Sequence, residues 1–289
     1  MLSAAVLVAA EPTPLPLWPG TPPGDQRAFA GETDTTRPGD NRIAGKPVIR
    51  LGPVGNPTMT LYPAPAGRNP GATVAVFPGG GYTILAMDLE GTEVCQWLNS
   101  VGVNCALVKY RVPVRQGLPR HGPPLQDAQR ALGMLRSRAA EWHLDPHRIG
   151  VLGFSAGAHL AAVLSTNYDA RTYAAVDDAD KASCRPDFAV LVYPAYLAVP
   201  SGHGPALAPE LKPAAGTPPT LLIQAEDDAV GVDNTLVYYA ALRAAKVPAE
   251  AHLYATGGHG YGLRPTAEAI TGWPRLAEAW MRGLGIVRP

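Results

Sequence analysis

Three stretches of this chain carry residue types and spacings that suit nucleophilic catalysis. The first spans residues 153–157, Gly-Phe-Ser-Ala-Gly, with Ser155 at its centre; an apolar run at 149–152 precedes it and another at 158–164 follows. A sharp turn from strand to helix lifts such a serine hydroxyl clear of a sheet. Flanking glycines suit this turn, because strand and helix approach too closely there for side chains. The stretch therefore predicts a nucleophile elbow, and a simple turn of small residues is the alternative.

The second stretch is a run of three glycines, 79–81, directly after the β-branched run 73–77. Each glycine costs backbone entropy on folding, so a run of them indicates either a flexible turn or amides that must face a ligand without Cβ atoms in the way. We favour the second reading and expect Gly80 or Gly81, with Ala156 after the serine, to form an oxyanion hole. A phosphate-binding loop would need different glycine spacing followed directly by a helix.

The third requirement is a base for the serine and a carboxylate that orients the base. His259 stands on a glycine-flanked turn after the last predicted strand, and Asp227 and Asp228 follow the strand before it. Asp228 is favoured because an apolar residue follows it two positions later, with Asp227 as the alternative. Six other histidines are less suitably placed, for example within a strand or on the helix after the serine: His121, His143, His147, His159, His203 and His252.

Strands and helices alternate along the chain, which predicts a mostly parallel sheet with helices on both faces. Hydrophobic patterns predict strands at 48–51, 59–62, 73–77, 103–112, 149–152, 188–193, 220–225 and 249–255. Helical spacing predicts helices at 92–100, 125–142, 158–164, 234–245 and 266–283. The segments 166–187 and 194–219 are expected to be irregular. Because open parallel sheets place their sites beyond the carboxyl ends of strands, Gly80, Ser155, Asp228 and His259 can meet there.

The composition excludes several classes of partner. Hydrophobic residues make up 46% of the 289 residues and charged residues 17%, which is typical of a globular protein. Lysine plus arginine and aspartate plus glutamate number 24 each, so no net charge attracts nucleic acid or an anionic membrane. After the first residues, no stretch approaches the roughly twenty apolar residues that span a bilayer.

Cys95, Cys105 and Cys184 lack the spacing of a zinc site, and we expect free thiols.

The chain divides into three parts. Residues 1–10 contain the run Leu2–Ala10, which resembles the apolar region of a secretory signal but lacks the basic residues that usually precede one. We favour a partial leader and hence a secreted or periplasmic location; an apolar end of a cytoplasmic protein is the alternative. Residues 11–47, rich in proline and glycine, are expected to be an extended segment anchored by Trp18, and residues 48–289 a single domain.

From about residue 70 to its end, the chain resembles the α/β-hydrolase superfamily, and more narrowly the bacterial hydrolases similar to acetylxylan and feruloyl esterases. The resemblance rests on residues 77–82, 90–91, 109–111, 126–131, 153–160 and 257–260. Two positions depart from the family pattern: Ala158 stands where many relatives have a third glycine, and Gly231 where a proline is common after the acid. Neither position carries a catalytic side chain, so both bear on substrate preference only.

The resemblance implies an α/β-hydrolase fold without a large lid domain, and a serine carboxylesterase that needs no metal or organic cofactor. Ser155, Asp228 and His259 would be its triad, and short acyl esters, acetyl esters of xylan above all, its substrates. Four tyrosines near the expected site are candidates to stack on a sugar, with core packing as the alternative: Tyr82, Tyr193, Tyr196 and Tyr261. A general short-chain esterase is the rival hypothesis; a non-catalytic binding protein is disfavoured by the intact triad.

Overall fold

The computed structural model of the chain describes residues 12–24, 31–68 and 71–288. The leader-like run Leu2–Ala10 lies outside these residues. In chain order the strands are β1 Leu15–Pro16, β2 Thr33–Asp34, β3 Arg50–Gly52, β4 Thr58–Tyr62, β5 Thr73–Phe77, β6 Leu85–Ala86, β7 Asn104–Lys109, β8 Ile149–Phe154, β9 Ala189–Val192, β10 Ala198–Ser201, β11 Gly204–Leu207, β12 Thr220–Ala225 and β13 Ala249–Tyr254. The α-helices are α1 Glu93–Ser100, α2 Gly122–Ser137, α3 Ala156–Thr166, α4 Asp233–Ala244 and α5 Trp273–Gly283.

The central sheet has eight strands in the order β1-β4-β7-β5-β8-β9-β12-β13. Six of them, from β7 to β13 in that order, are parallel, whereas β4 is antiparallel to both of its neighbours. All residues of β5, β8, β9 and β12 are buried. Their continuous apolar sequences follow from this position, because a central parallel strand is covered on both faces.

Helices cover both faces of the sheet. One core cluster includes Leu132 of α2, Leu160 of α3 and Leu242 of α4. The cluster on the opposite face includes Leu98 of α1 and Trp273 of α5. The predicted mostly parallel sheet with helices on both sides is confirmed.

One local prediction is wrong. The segment 194–219 was expected to be irregular, but it contains the antiparallel hairpin of β10 and β11. The hairpin contains Pro200, Gly202 and Pro205, which interrupt the alternation of apolar and polar residues that is typical of strands. The sequence pattern therefore did not indicate strands. In the segment 11–47, β1 extends the central sheet beside β4.

The expectation of free thiols is wrong for two of the three cysteines. Cys95 of α1 and Cys105 of β7 form a disulfide, and Cys184 is a buried free thiol. The disulfide joins two consecutive elements within the core cluster that contains α1 and α5. Its formation depends on how α1 packs on β7, which the spacing of cysteines does not reveal.

A buried ion pair fastens the N-terminal segment to the sheet. The Arg111 guanidinium donates to the Asp127 carboxylate at 2.9 Å, and neither side chain is exposed. The Trp18 indole donates to the same carboxylate at 2.8 Å. Trp18 thus anchors its segment as expected, and the family-like residues 109–111 and 126–131 contribute to this structural contact. Among the described residues, every helix is too short or too polar to cross a membrane.

Candidate active site

Ser155 lies at the turn between β8 and α3 with a strained backbone, φ 51° and ψ −117°. Positive φ is rare for a residue with a side chain and marks the nucleophile elbow. A Cβ atom on Gly153 would collide with the carbonyl group of Gly157, and one on Gly157 would collide with the carbonyl oxygen of Phe77. Both glycines are therefore required by the close approach of β5, β8 and α3.

Ser155, His259 and Asp228 form one chain of hydrogen bonds. The Ser155 Oγ lies 2.9 Å from His259 Nε2, and His259 Nδ1 lies 2.9 Å from Asp228 Oδ2. Since a carboxylate only accepts, Nδ1 carries the proton and Nε2 of the neutral ring is free to accept from the serine. This arrangement can remove the serine proton as the oxygen attacks an electrophile.

The surroundings of Asp228 favour its ionised form. Burial raises the pKa of Asp228, but hydrogen bonds from His259, the Val230 amide and Gln224 outweigh burial and hold this pKa below its usual value. The exposed Asp227 points elsewhere and accepts the Gly258 amide at 2.8 Å, which braces the turn that carries His259. Of the two adjacent aspartates, the structure thus brings Asp228 to the histidine.

A cavity of about 500 Å³ opens onto the hydrogen-bonded residues Ser155 and His259. Ser155, His259, Gly80 and Gly81 line it together. Among the described residues, we find no backbone acceptor for the amides of Gly80 and Gly81. Ala156 begins α3, and amides in the first turn of a helix have no partner within the helix. Gly80 and Gly81 thus line the cavity together with Ser155, and Ala156 directly follows the serine.

Only one of the four candidate tyrosines lines the cavity. Tyr196 does so, with the guanidinium of Arg120 4.2 Å from its ring centre. The side chains of Tyr82, Tyr193 and Tyr261 are 1%, 0% and 3% exposed. Their rings leave no face for a sugar, because they fill space among neighbouring aromatic side chains.

Comparison with known proteins shows the family to which this chain belongs. The BD-FAE family model matches residues 59–192. The crystal structure of an acetyl ester-xyloside bifunctional hydrolase from Caldicellulosiruptor lactoaceticus is 30% identical, covers 98% of this chain and 100% of its own, and superposes with a TM-score of 0.75. The chain belongs to the α/β-hydrolase superfamily of esterases.

Two further relatives of this α/β-hydrolase are longer proteins. An acetylxylan esterase from Xylanibacter ruminicola is 30% identical over an alignment of 222 residues, and the match covers 68% of this chain and 42% of that protein. The endo-1,4-beta-xylanase B of Butyrivibrio fibrisolvens is 28% identical over an alignment of 215 residues, and the match covers 68% of this chain and 33% of that protein. The chain thus spans less than half the length of these relatives.

The hydrolase also has a buried carboxylate that sequence reasoning missed as a site residue. Glu90 lies in a π-helical turn, Asp88–Thr92, and accepts the Gly79 amide at 2.6 Å and the Tyr193 hydroxyl at 2.7 Å. The Tyr193 hydroxyl in turn accepts the Gly262 amide at 3.1 Å. Burial raises the pKa of Glu90 above its usual value, although the hydrogen bonds from Tyr193 and Gly79 lower it in part. Glu90 therefore joins the glycine loop to the turn that carries His259.

Replacing Glu90 with alanine is expected to destabilise the fold. The Gly79 amide and the Tyr193 hydroxyl would lose their acceptor, and each buried donor left unpaired costs about 1–3 kcal/mol. Glu90→Gln keeps one carbonyl acceptor and should lose less. Urea denaturation measures both, with exposed Glu141→Ala as the control for loss of a carboxylate. A Glu90→Ala protein as stable as the wild type would show that Glu90 does not fasten these loops.

Proposed function

We propose that this chain is a serine carboxylesterase that removes short acyl groups, acetyl above all, from xylan or related plant-wall sugars. The observation that carries the proposal is the hydrogen-bonded chain of Ser155, His259 and Asp228, which opens into a cavity beside the amides of Gly80 and Gly81. A serine hydroxyl is a weak nucleophile at neutral pH, and this arrangement supplies the base that activates it.

The reaction proceeds through an acyl-enzyme. His259 Nε2 takes the proton of Ser155 as Oγ attacks the ester carbonyl, and the amides of Ala156 and of Gly80 or Gly81 stabilise the oxyanion. The bond between the acyl carbon and the sugar oxygen then breaks, and the protonated imidazole gives its proton to that oxygen, so the sugar leaves as an alcohol. Water attacks the acyl-enzyme by the same steps, with His259 again as base, and releases the acid. Asp228 holds the imidazole in the required tautomer throughout.

The sugar preference rests on the relatives and on the cavity. Two of the relatives are an acetylxylan esterase and an acetyl ester-xyloside hydrolase, and both names contain this substrate class. The cavity offers Asn41, Arg50 and Tyr196 as polar contacts for sugar hydroxyl groups. An exported location fits a polymeric substrate, and the Cys95–Cys105 disulfide supports it because disulfides persist in oxidising compartments.

A general short-chain esterase is the second candidate, and the remaining walls of the cavity favour it. These walls carry aliphatic side chains that suit an alkyl ester: Ile43, Val48, Ile84, Leu89 and Val230. A substrate that lacks sugar hydroxyl groups would bind to these walls alone.

A panel of esters separates the two candidates. It comprises acetylated xylo-oligosaccharides and the acetyl, butyryl and feruloyl esters of simple alcohols, each measured as kcat/KM on the purified chain. We expect the acetylated oligosaccharides to have the highest values, because they use the polar side of the cavity in addition to the acetyl site. Equal values for acetyl-sugars and alkyl acetates would contradict the sugar preference and leave the general esterase.

A further inference from the structure

A second group of titratable side chains lies next to Tyr82, the residue after the glycine loop, and is separate from Ser155, His259 and Asp228. His121 directly precedes α2, His159 is in the first turn of α3, and Glu210 follows β11. His159 Nε2 lies 3.1 Å from Glu210 Oε1, and His121 Nδ1 lies 3.9 Å from the same oxygen. The three ligand atoms all lie within 4.8 Å of one another. The proposed ester hydrolysis makes no use of them.

We propose that His121, His159 and Glu210 bind one divalent transition-metal ion of the zinc type, which ties the three segments together. Two imidazoles and one carboxylate are a common ligand set for zinc, whereas calcium and magnesium prefer oxygen ligands alone. The chain would supply three ligands and water the fourth. Water can reach the ion because His121 and Glu210 are partly exposed, whereas His159 is fully buried.

The distances suit a small ion. Ligand atoms about 2.1 Å from a tetrahedral zinc ion lie about 3.4 Å apart. His159 and Glu210 already meet this condition at 3.1 Å, so His121 alone has to approach. His121 ends the irregular connection that follows β7, and it is half-buried, so this approach requires no change in the sheet.

Binding requires His159 to change tautomer. In the present arrangement Nε2 carries the proton, since the Glu210 carboxylate can only accept, and Nδ1 therefore accepts from the Tyr82 hydroxyl at 2.8 Å. When the ion takes Nε2, the proton moves to Nδ1 and is donated to the Tyr82 oxygen, and the Tyr82 hydroxyl turns its own hydrogen away from Nδ1. The ring stays neutral, and no proton is lost.

Tyr82 thus acts as the outer partner that orients a metal-bound imidazole. It is fully buried and directly follows Gly81, so the ion would fasten the glycine loop to α3 through His159. The charges around the site are mixed. The Glu210 carboxylate attracts a cation, whereas the guanidinium of Arg120, the residue before His121, opposes it.

Equilibrium dialysis of the full, tag-free chain against Zn²⁺, with elemental analysis, tests the proposal. We expect one ion per chain and a rise in Tm with Zn²⁺. His121→Ala and Glu210→Ala should each abolish the Tm shift and weaken binding by more than ~10–100-fold, and Tyr82→Phe should weaken it by ~10–100-fold. Co²⁺ should give the visible absorption of a tetrahedral ion in the wild type and not in His121→Ala.

Two controls locate the ion. His203→Ala changes an exposed histidine of the hairpin turn and should bind Zn²⁺ as the wild type does. His259→Ala should also keep the ion. This result would show that the proposed catalytic residues Ser155, His259 and Asp228 do not bind it. Loss of binding in His259→Ala, or unchanged binding in His121→Ala and Glu210→Ala, would overturn the proposal, as would the absence of bound ion in the wild type. If His121→Ala fails to fold by circular dichroism without metal, His121→Asn replaces it. Because the readouts are metal content and Tm, a failed esterase assay leaves this test intact.

Discussion

Ser155→Ala is expected to lower kcat on p-nitrophenyl acetate by about 10⁴–10⁶-fold, the loss that follows removal of the nucleophile in serine hydrolases. Without Oγ there is no acyl-enzyme, and only the oxyanion donors and substrate binding remain to assist water. Loss of one oxygen on a turn that keeps its glycines should leave the fold unchanged. The variant is therefore expected to unfold at the wild-type Tm.

A fluorophosphonate probe checks the same prediction without a chromogenic ester. It should label the wild type at Ser155 and leave Ser155→Ala unlabelled, as mass spectrometry of the labelled peptide would show. A Ser155→Ala protein that kept its full rate would exclude the acyl-enzyme mechanism. Failure of the intact chain to react would instead favour a non-catalytic binding protein.

The sequence predicted those parts of the fold that depend on local pattern. Strands β5 and β12 have the predicted bounds because a central strand must be apolar on both faces. The turn at Ser155 was predictable because its glycines are required by close backbone contact. The meeting of Ser155, Asp228 and His259 followed from the rule that open parallel sheets place their sites beyond the carboxyl ends of the strands.

Contacts between distant segments were not predictable from one sequence. Glu90 belongs to a stretch that carries the family resemblance, but its role depends on Gly79 and Tyr193 meeting it in the core. The same holds for the pair of Cys95 and Cys105. The tyrosines Tyr82, Tyr193 and Tyr261 were candidates for sugar contact because they lie near the site in sequence. Their burial was not predictable, because sequence position does not show which way a ring points.

The group of His121, His159 and Glu210 shows this limit most clearly. Its members come from three segments and share no spacing that resembles a metal motif. The position of His159 on the helix after the serine indicated packing, and its side chain is indeed buried. The sequence could not show that Glu210, which follows the unexpected hairpin, would reach the same point.

Asp228→Asn is expected to lower kcat by about 10⁴-fold, as loss of the orienting charge does in other serine hydrolases. In the part of the chain that the structure describes, three groups hydrogen-bond to this carboxylate and all of them donate to it: His259 Nδ1, Gln224 Nε2 and the Val230 amide. An asparagine NH₂ must therefore face a donor in either orientation. Turned towards His259, it favours the tautomer with Nε2 protonated, which cannot accept the serine proton. Turned towards Val230, it still lacks the charge that stabilises the imidazolium.

Asp227→Asn is the matched control, because it makes the same change one residue away. Asp227 is exposed, and its asparagine keeps an oxygen that can accept the Gly258 amide, so kcat should stay close to the wild-type value. Hydrogen bonds hold the pKa of Asp228 below its usual value, so at neutral pH the wild type keeps the negative charge that Asp228→Asn removes. Equal losses in the two variants would mean that the turn as a whole matters and not the Asp228 charge. A loss of kcat in Asp227→Asn alone would mean that Asp227, and not Asp228, is the acid of the triad.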